Sequence, residues 1–196
     1  MKRSSELRAQ AWSALSGKWG MAVVATLVYM VICGVISLIP YVSCIAALLV
    51  SLPLAYGFTI MLLNVVRGRD VELNTLGEGF KDYGRILGTM LLSSVYQFLW
   101  MLLLIVPGII KGYALTPYLL KDHPELKFNA AIEESMRLMS GNKMRLFILD
   151  LTYIGWFLLC IVTFGIATLW VNPYWCTARA AFYEDLMSDL RNAGEF

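Results

Sequence analysis

Charge is scarce in this sequence: Asp, Glu, Lys and Arg make up 15% of its 196 residues, against roughly 25% in a soluble domain. Hydrophobic residues reach 59%, more apolar surface than a soluble fold of this size can bury. There is one histidine, His123, so an HExxH-type zinc site is excluded; a lone histidine beside a helix end is ordinarily just solvated. The four cysteines, Cys33, Cys44, Cys160 and Cys176, lie in or beside apolar stretches with no CxxC spacing, which argues against a metal centre and a disulfide framework. No GxSxG elbow, phosphate-cradling glycine loop or pair of intramembrane aspartates occurs. No catalytic residue, metal or cofactor is therefore expected, and the chain reads as non-enzymatic. The formal charge of +2, without a basic run interleaved with aromatics, gives no reason to expect nucleic acid.

What is abundant is long apolar runs. A bilayer core needs about 20 apolar residues per helix because each residue rises about 1.5 Å. Residues 21–39, 42–66, 86–106 and 146–164 meet that length. Two further runs are less clean: 109–120 is short and carries Lys111, and 166–183 contains Asn172, Pro173 and Arg179. About twenty residues precede the first run and a second follows almost at once, so the first is read as a retained span, not a cleaved signal peptide.

The runs follow an internal repeat. Lys18, Arg85 and Lys143 each open a run and each lies 22 residues before a breaking residue: Pro40, Pro107 and Gly165. After each break comes a second run with its own proline, expected to break the helix, and a nearby tyrosine: Pro53 with Tyr56, Pro117 with Tyr118, and Pro173 with Tyr174. The unit is a basic anchor, a spanning helix, a tight turn and a returning helix. The expected architecture is an all-α polytopic membrane bundle of about six transmembrane helices, arranged as three repeated hairpins in a single domain over 1–196, with units near 1–69, 70–123 and 124–196.

Each unit is preceded by a segment of helical periodicity. Leu7, Ala11, Trp12, Leu15 and Trp19 form one stripe; Leu73, Leu76, Phe80, Tyr83 and Leu87 form a second, with Thr75 and Glu78 spaced as a capping box; Phe128, Ala131, Ile132, Ser135, Met136 and Met139 form the third. These segments either lie in the interface as a collar or pack on the bundle. Orientation follows from the basic residues: of 16 Lys and Arg, 14 lie in the tails and the two long connections, and the turns at Pro40, Pro107 and Gly165 carry none. The positive-inside rule places both termini and the long connections in the cytoplasm.

Ionisable residues inside spans are costly and each needs a reason. Lys111 is four residues past Pro107, near enough to the outer surface to snorkel. Asp150 and Arg179 are opposite in charge and equidistant from the Phe164-Gly165 break, so they are expected to share a level and pair; solute contact is the alternative. Asn172 beside Pro173 either satisfies backbone groups freed by the proline or lines a cavity in a broken helix. The tryptophans Trp19, Trp100, Trp156, Trp170 and Trp175 are read as an interfacial belt. The function expected is binding, or helping to move, a small solute or lipid, or scaffolding. A transporter or channel would need a polar cavity around Lys111, Asp150, Asn172 and Arg179. An intramembrane enzyme would need His123 or Asp150 in a pocket beside a second titratable group.

One likeness emerges in the third unit. Ala131-Ile132, Ser135, Leu138-Met139, Gly141, Lys143, Leu146-Phe147, Ile154-Gly155-Trp156, Gly165-Ile166, Leu169-Trp170, Pro173-Tyr174, Ala178, Ala181-Phe182-Tyr183 and Leu186 resemble the signature of a bacterial integral-membrane family, domain of unknown function 975. Thr152-Tyr153 stands where that signature has Ser-Phe, and Ala167 where glycine is commoner. The resemblance implies a six-span protein of the bacterial cytoplasmic membrane; membrane lipids are the partners expected of such a bundle. It also implies a distant similarity to the membrane domain of some glycerophosphodiester phosphodiesterases. It supplies no catalytic residues.

Overall fold

The structure, a computed structural model, describes residues 2–37, 43–102 and 113–192. Among these residues it is all-helical, with no strand. The α-helices are α1 (Ser4–Leu15), α2 (Trp19–Ser37), α3 (Ser43–Val66), α4 (Tyr83–Leu102), α5 (Thr116–Asp122), α6 (Asn129–Leu138), α7 (Lys143–Leu151), α8 (Ile154–Val162) and α9 (Thr168–Asn192), and a 3-10 helix spans Leu73–Phe80. Pro40, Pro107 and Lys111 lie outside the described residues.

Three stretches are long and apolar enough to cross a membrane: Trp19–Ile36, Leu48–Val66 and Lys143–Val162. Their surroundings differ. Leu48–Val66 is 56% buried, the other two 17% each, so α3 is the central helix and α2 and α7–α8 lie at the periphery. Ile60, Met61, Leu62 and Leu63 are all fully buried, as expected of a helix apolar on every side. On α2 the exposed Val24, Leu27, Val31 and Val35 recur at steps of three and four, one helical stripe turned away from the protein. On α8 and the turn after it Ile161, Val162 and Phe164 are 73%, 74% and 98% exposed. Exposed apolar surface on this scale marks contact with another apolar phase.

Contacts within each helix pair run antiparallel. Lys18 meets Asp70 (3.2 Å) while Tyr29 stacks on Phe58 (5.5 Å between ring centroids). Arg85 donates to the Leu120 carbonyl (3.2 Å) while Tyr96 meets Tyr113 (6.2 Å). Asp150 lies 4.0 Å from Arg179 while Phe157 meets Trp175 (5.8 Å). The turn of this last pair falls on the expected break: Phe164 and Gly165 take φ of 51° and 88°, and the Gly165 N–H bonds the Cys160 carbonyl at 2.8 Å. Positive φ is cheap for glycine and ends the helix there.

Several local expectations are corrected. The run 146–164 is not one helix: it breaks at Thr152-Tyr153 into α7 and α8. The Tyr153 N–H bonds the Asp150 carbonyl (3.0 Å) and the Thr152 hydroxyl bonds the Leu149 carbonyl (2.7 Å), local bonds that compete with α-helical ones. The break turns Tyr153 fully inward, edge-on to Tyr174 at 5.0 Å. Pro53 and Pro173, expected as helix-break residues, sit inside α3 and α9, whereas Pro117 occupies the first turn of α5, where proline costs nothing. Pro53 deprives the Leu49 carbonyl of its helical donor, and the Tyr83 hydroxyl supplies one at 3.1 Å. The segment Leu73–Phe80 is 3-10, and Glu78 pairs with Lys121 in place of a capping box.

The three amphipathic segments pack on the bundle. Leu7, Ala11 and Leu15 of α1 are buried, as are Leu76 of the 3-10 helix and Ala131, Ile132, Ser135 and Met139 at α6. Trp12 of the first expected stripe, Leu73, Phe80 and Tyr83 of the second, and Phe128 and Met136 of the third are exposed. The 3-10 helix lies so close to α3 that a Cβ on Gly57 would stand 2.2 Å from the Leu76 carbonyl oxygen, and one on Gly79 2.0 Å from that of Pro53.

Candidate functional site

The polar side chains of the bundle converge on a cavity of about 370 Å³ between α4, α5, α7 and α9. α4 contributes Ser93, Ser94 and Gln97; Tyr113 and Pro117 come from the chain at α5; α7 contributes Asp150 and α9 Trp175 and Arg179. Asp150 supplies the carboxylate of its wall. Its Oδ1 accepts the Trp175 indole N–H at 2.8 Å and lies 4.0 Å from Arg179 Nε, while the Arg179 guanidinium carbon lies 4.7 Å from the Trp175 ring centroid. The carboxylate, indole and guanidinium thus form one stacked unit, with the ring face adding cation–π attraction. Gln97 Nε2 donates to Ser93 Oγ at 3.3 Å, and the Ser94 hydroxyl bonds the Met90 carbonyl at 2.8 Å.

Of the expected residues, Asp150 and Arg179 are brought together as the count from the turn requires. Asn172 is not among the cavity's lining residues; its Oδ1 accepts from Cys176 Sγ at 3.6 Å. His123 is 2.9 Å from Glu125 through Nδ1 and lies outside the cavity. Ser93, Ser94, Gln97 and Tyr113 were not singled out from the sequence. Their signal was there, Ser93 and Gln97 being one helical turn apart inside an otherwise apolar run. Trp175, read from the sequence as part of an interfacial belt, instead lines the cavity and donates to Asp150.

A second polar group ties the helix ends together. Arg67, just past α3, forks onto Asp122 of α5 (Nη1 to Oδ1 2.8 Å, Nη2 to Oδ2 2.5 Å) and reaches Glu184 of α9 (2.6 Å), while the Tyr183 hydroxyl donates to Asp122 Oδ2 at 2.8 Å. Burial pushes the Asp122 carboxyl up, but the hydrogen bonds from Arg67 and Tyr183 more than offset it and hold it below the ordinary carboxylate range. Nearby, Asp185, 5% exposed, accepts from Arg145 and from the Lys2 N–H, both at 2.9 Å. These bidentate and multiply bonded pairs are of the kind that fixes geometry.

A family model described as a protein of unknown function, DUF975, matches residues 1–115 and 104–189. The chain belongs to the DUF975 family. The likeness expected from the third unit is thereby confirmed and extended to nearly the whole of this DUF975 protein. Similarity to the glycerophosphodiester phosphodiesterase membrane domain is not shown. No curated protein and no solved structure matches the chain.

Proposed function

We propose that this DUF975 protein is a non-enzymatic integral membrane protein of the bacterial cytoplasmic membrane. It crosses the bilayer six times as three hairpins with both ends inside, and it binds a small zwitterionic solute in the cavity at Asp150 and Arg179. The exposed apolar stripes of α2 and α8 and the antiparallel contacts in each helix pair support the membrane reading. The observation that carries the binding reading is a polar cavity, with one carboxylate and one guanidinium on its wall, inside a bundle that is apolar outside. Intramembrane charges are expensive and are kept where they contact each other or a solute. An ammonium group suits Asp150, a carboxylate suits Arg179, and Ser93, Gln97 and Tyr113 offer neutral hydrogen bonds. Thermal unfolding in lipid nanodiscs, with a panel of zwitterionic amino acids beside simple amines and monocarboxylates, tests this. Only zwitterions should stabilise, by about 2.7 kcal/mol at a hundredfold excess over Kd, and Asp150→Asn and Arg179→Gln should each abolish the effect. Stabilisation by none of the three classes would refute the site.

One observation favours a second reading, transport: the helix is interrupted at Thr152-Tyr153, directly beyond Asp150. Interrupted helices are where transporters place substrate sites. Uptake of the stabilising solute into proteoliposomes, absent in Asp150→Asn, would distinguish transport from binding alone.

A further inference from the structure

A second cavity, of about 430 Å³, is unlike the first: it is lined by Trp12, Trp19, Trp156, Trp170, Val171 and Tyr174. It lies where α1 and the start of α2 cross α8 and α9. It opens sideways, since Trp12, Trp156 and Trp170 are 54%, 38% and 49% exposed. Trp12 meets Trp19 at 5.1 Å and Tyr174 at 5.6 Å, both edge-on, and Trp156 meets Tyr174 edge-on at 6.2 Å. The aromatic walls therefore brace one another around an apolar slot wide enough for a hydrocarbon chain.

A cation stands behind one wall of this slot. Arg8 is one helical turn before Trp12, on the same face of α1. Its carbonyl accepts the Tyr174 hydroxyl at 3.4 Å, and its guanidinium carbon lies 5.5 Å from the centroid of the Tyr153 ring, which itself abuts Tyr174. Arg8 Nε is buried with no hydrogen-bond partner. Arg8 as a whole is half-buried, so the accessible part of its guanidinium, not the sealed Nε, is what an external anion meets, and a phosphate is an acceptor that matches a guanidinium. Charged groups flank α1: Asp185, which accepts from the Lys2 backbone N–H and pairs with Arg145, before it, and the Lys18–Asp70 pair after it. Phosphate groups of a surrounding bilayer lie at such a charged boundary.

We propose that this groove is a site for one anionic phospholipid, its phosphate on Arg8 and the upper part of an acyl chain in the tryptophan slot. The site is independent of the Asp150 cavity and rests only on the membrane insertion proposed above. The tryptophans are the natural reporter, because bromine on an acyl chain quenches indole fluorescence on contact. The full chain carrying Trp100→Phe and Trp175→Phe, so that only the four groove tryptophans emit, is reconstituted in phosphatidylcholine vesicles. Increasing fractions of phosphatidylglycerol or phosphatidylcholine, each brominated near the top of one chain, are then introduced. Half-maximal quenching should need about fivefold less brominated phosphatidylglycerol than brominated phosphatidylcholine, the preference one cation confers near the surface. Arg8→Gln should bring the two curves together, while Val171→Phe, which fills the slot and leaves Arg8, should reduce quenching by both. If Arg8→Gln does not fold, the headgroup comparison and Val171→Phe decide. Equal quenching by the two lipids, a preference that survives Arg8→Gln, or quenching unmoved by Val171→Phe overturns the site while leaving membrane insertion intact. Quenching by neither lipid overturns both.

Discussion

Asp150 Oδ1 takes the Trp175 indole N–H and faces the Arg179 guanidinium, so removing either charge strands the other in a low-dielectric setting. Asp150→Asn and Arg179→Gln are each expected to destabilise by about 1–3 kcal/mol, and the double variant by less than the sum. A thermal double-mutant cycle in nanodiscs reads the difference, and strict additivity would mean the two charges do not interact. Asp122 adds a pH dependence. A carboxylate held below its ordinary value stabilises the fold wherever the unfolded chain would also be ionised, above about pH 4, and that contribution is lost as pH falls through the lower folded value. Asp122→Asn should therefore unfold at a lower temperature than the unaltered chain at pH 7, and the two midpoints should converge in acid below pH about 4. A gap that persists unchanged at low pH would assign the loss to packing. Asp150 and Arg179 were legible by counting from Gly165 because depth in a hairpin is a matter of spacing. Ser93 and Gln97 were not, because nothing in an apolar run says which face looks inward; for the same reason Trp175, read as part of an interfacial belt, turns out to line the cavity.

Glycine sets the closest approach between elements. The 3-10 helix meets α3 backbone to backbone at Gly57 and Gly79, so a methyl group there must displace main chain. Gly57→Ala and Gly79→Ala are each expected to cost about 1–3 kcal/mol, the usual penalty of overpacking. By contrast Gly155, in α8, has nothing within 4 Å of its would-be Cβ, and Gly155→Ala should stabilise by about 0.5–1 kcal/mol through helix propensity. Melting temperatures in one detergent compare all three; equal effects would show that 73–80 does not lie on α3. The residues that seat α1, the 3-10 helix and α6, such as Leu7, Leu15, Leu76 and Ala131, were visible as periodicity, whereas Leu73, Phe80 and Phe128 of the same stripes face outward. The 3-10 geometry was not, because the spacing of Leu73, Leu76 and Phe80 suits either helix type. Gly77 and Gly79 weaken the α form, and the tight seat on α3 decides between them. The break at Thr152-Tyr153 was likewise hidden inside a uniformly apolar run; it exists because Tyr153 finds a fully buried place against Tyr174.

At the scale of the molecule, the distribution of charge predicts topology. In a chain freed of its native cysteines, a cysteine replacing Ser43 should react with an impermeant thiol reagent added outside the cytoplasmic membrane, and one replacing Asn192 only after the membrane is opened. Labelling of both from the same side of intact cells would overturn the even number of spans. Composition, run length and helical periodicity by themselves determined an all-helical chain with an apolar surface, because helical rise and the burial of apolar stripes act on local sequence. They also determined that Asp150 and Arg179 would meet. Which prolines stay inside helices was decided only by tertiary structure: Pro53 is tolerated because Tyr83, 30 residues on, reaches the carbonyl it frees. The Arg67–Asp122–Glu184 knot and the two cavities were decided in the same way. Each depends on side chains from three or four elements meeting in space, and the pairing of distant residues is set by how whole helices pack, which no local period encodes.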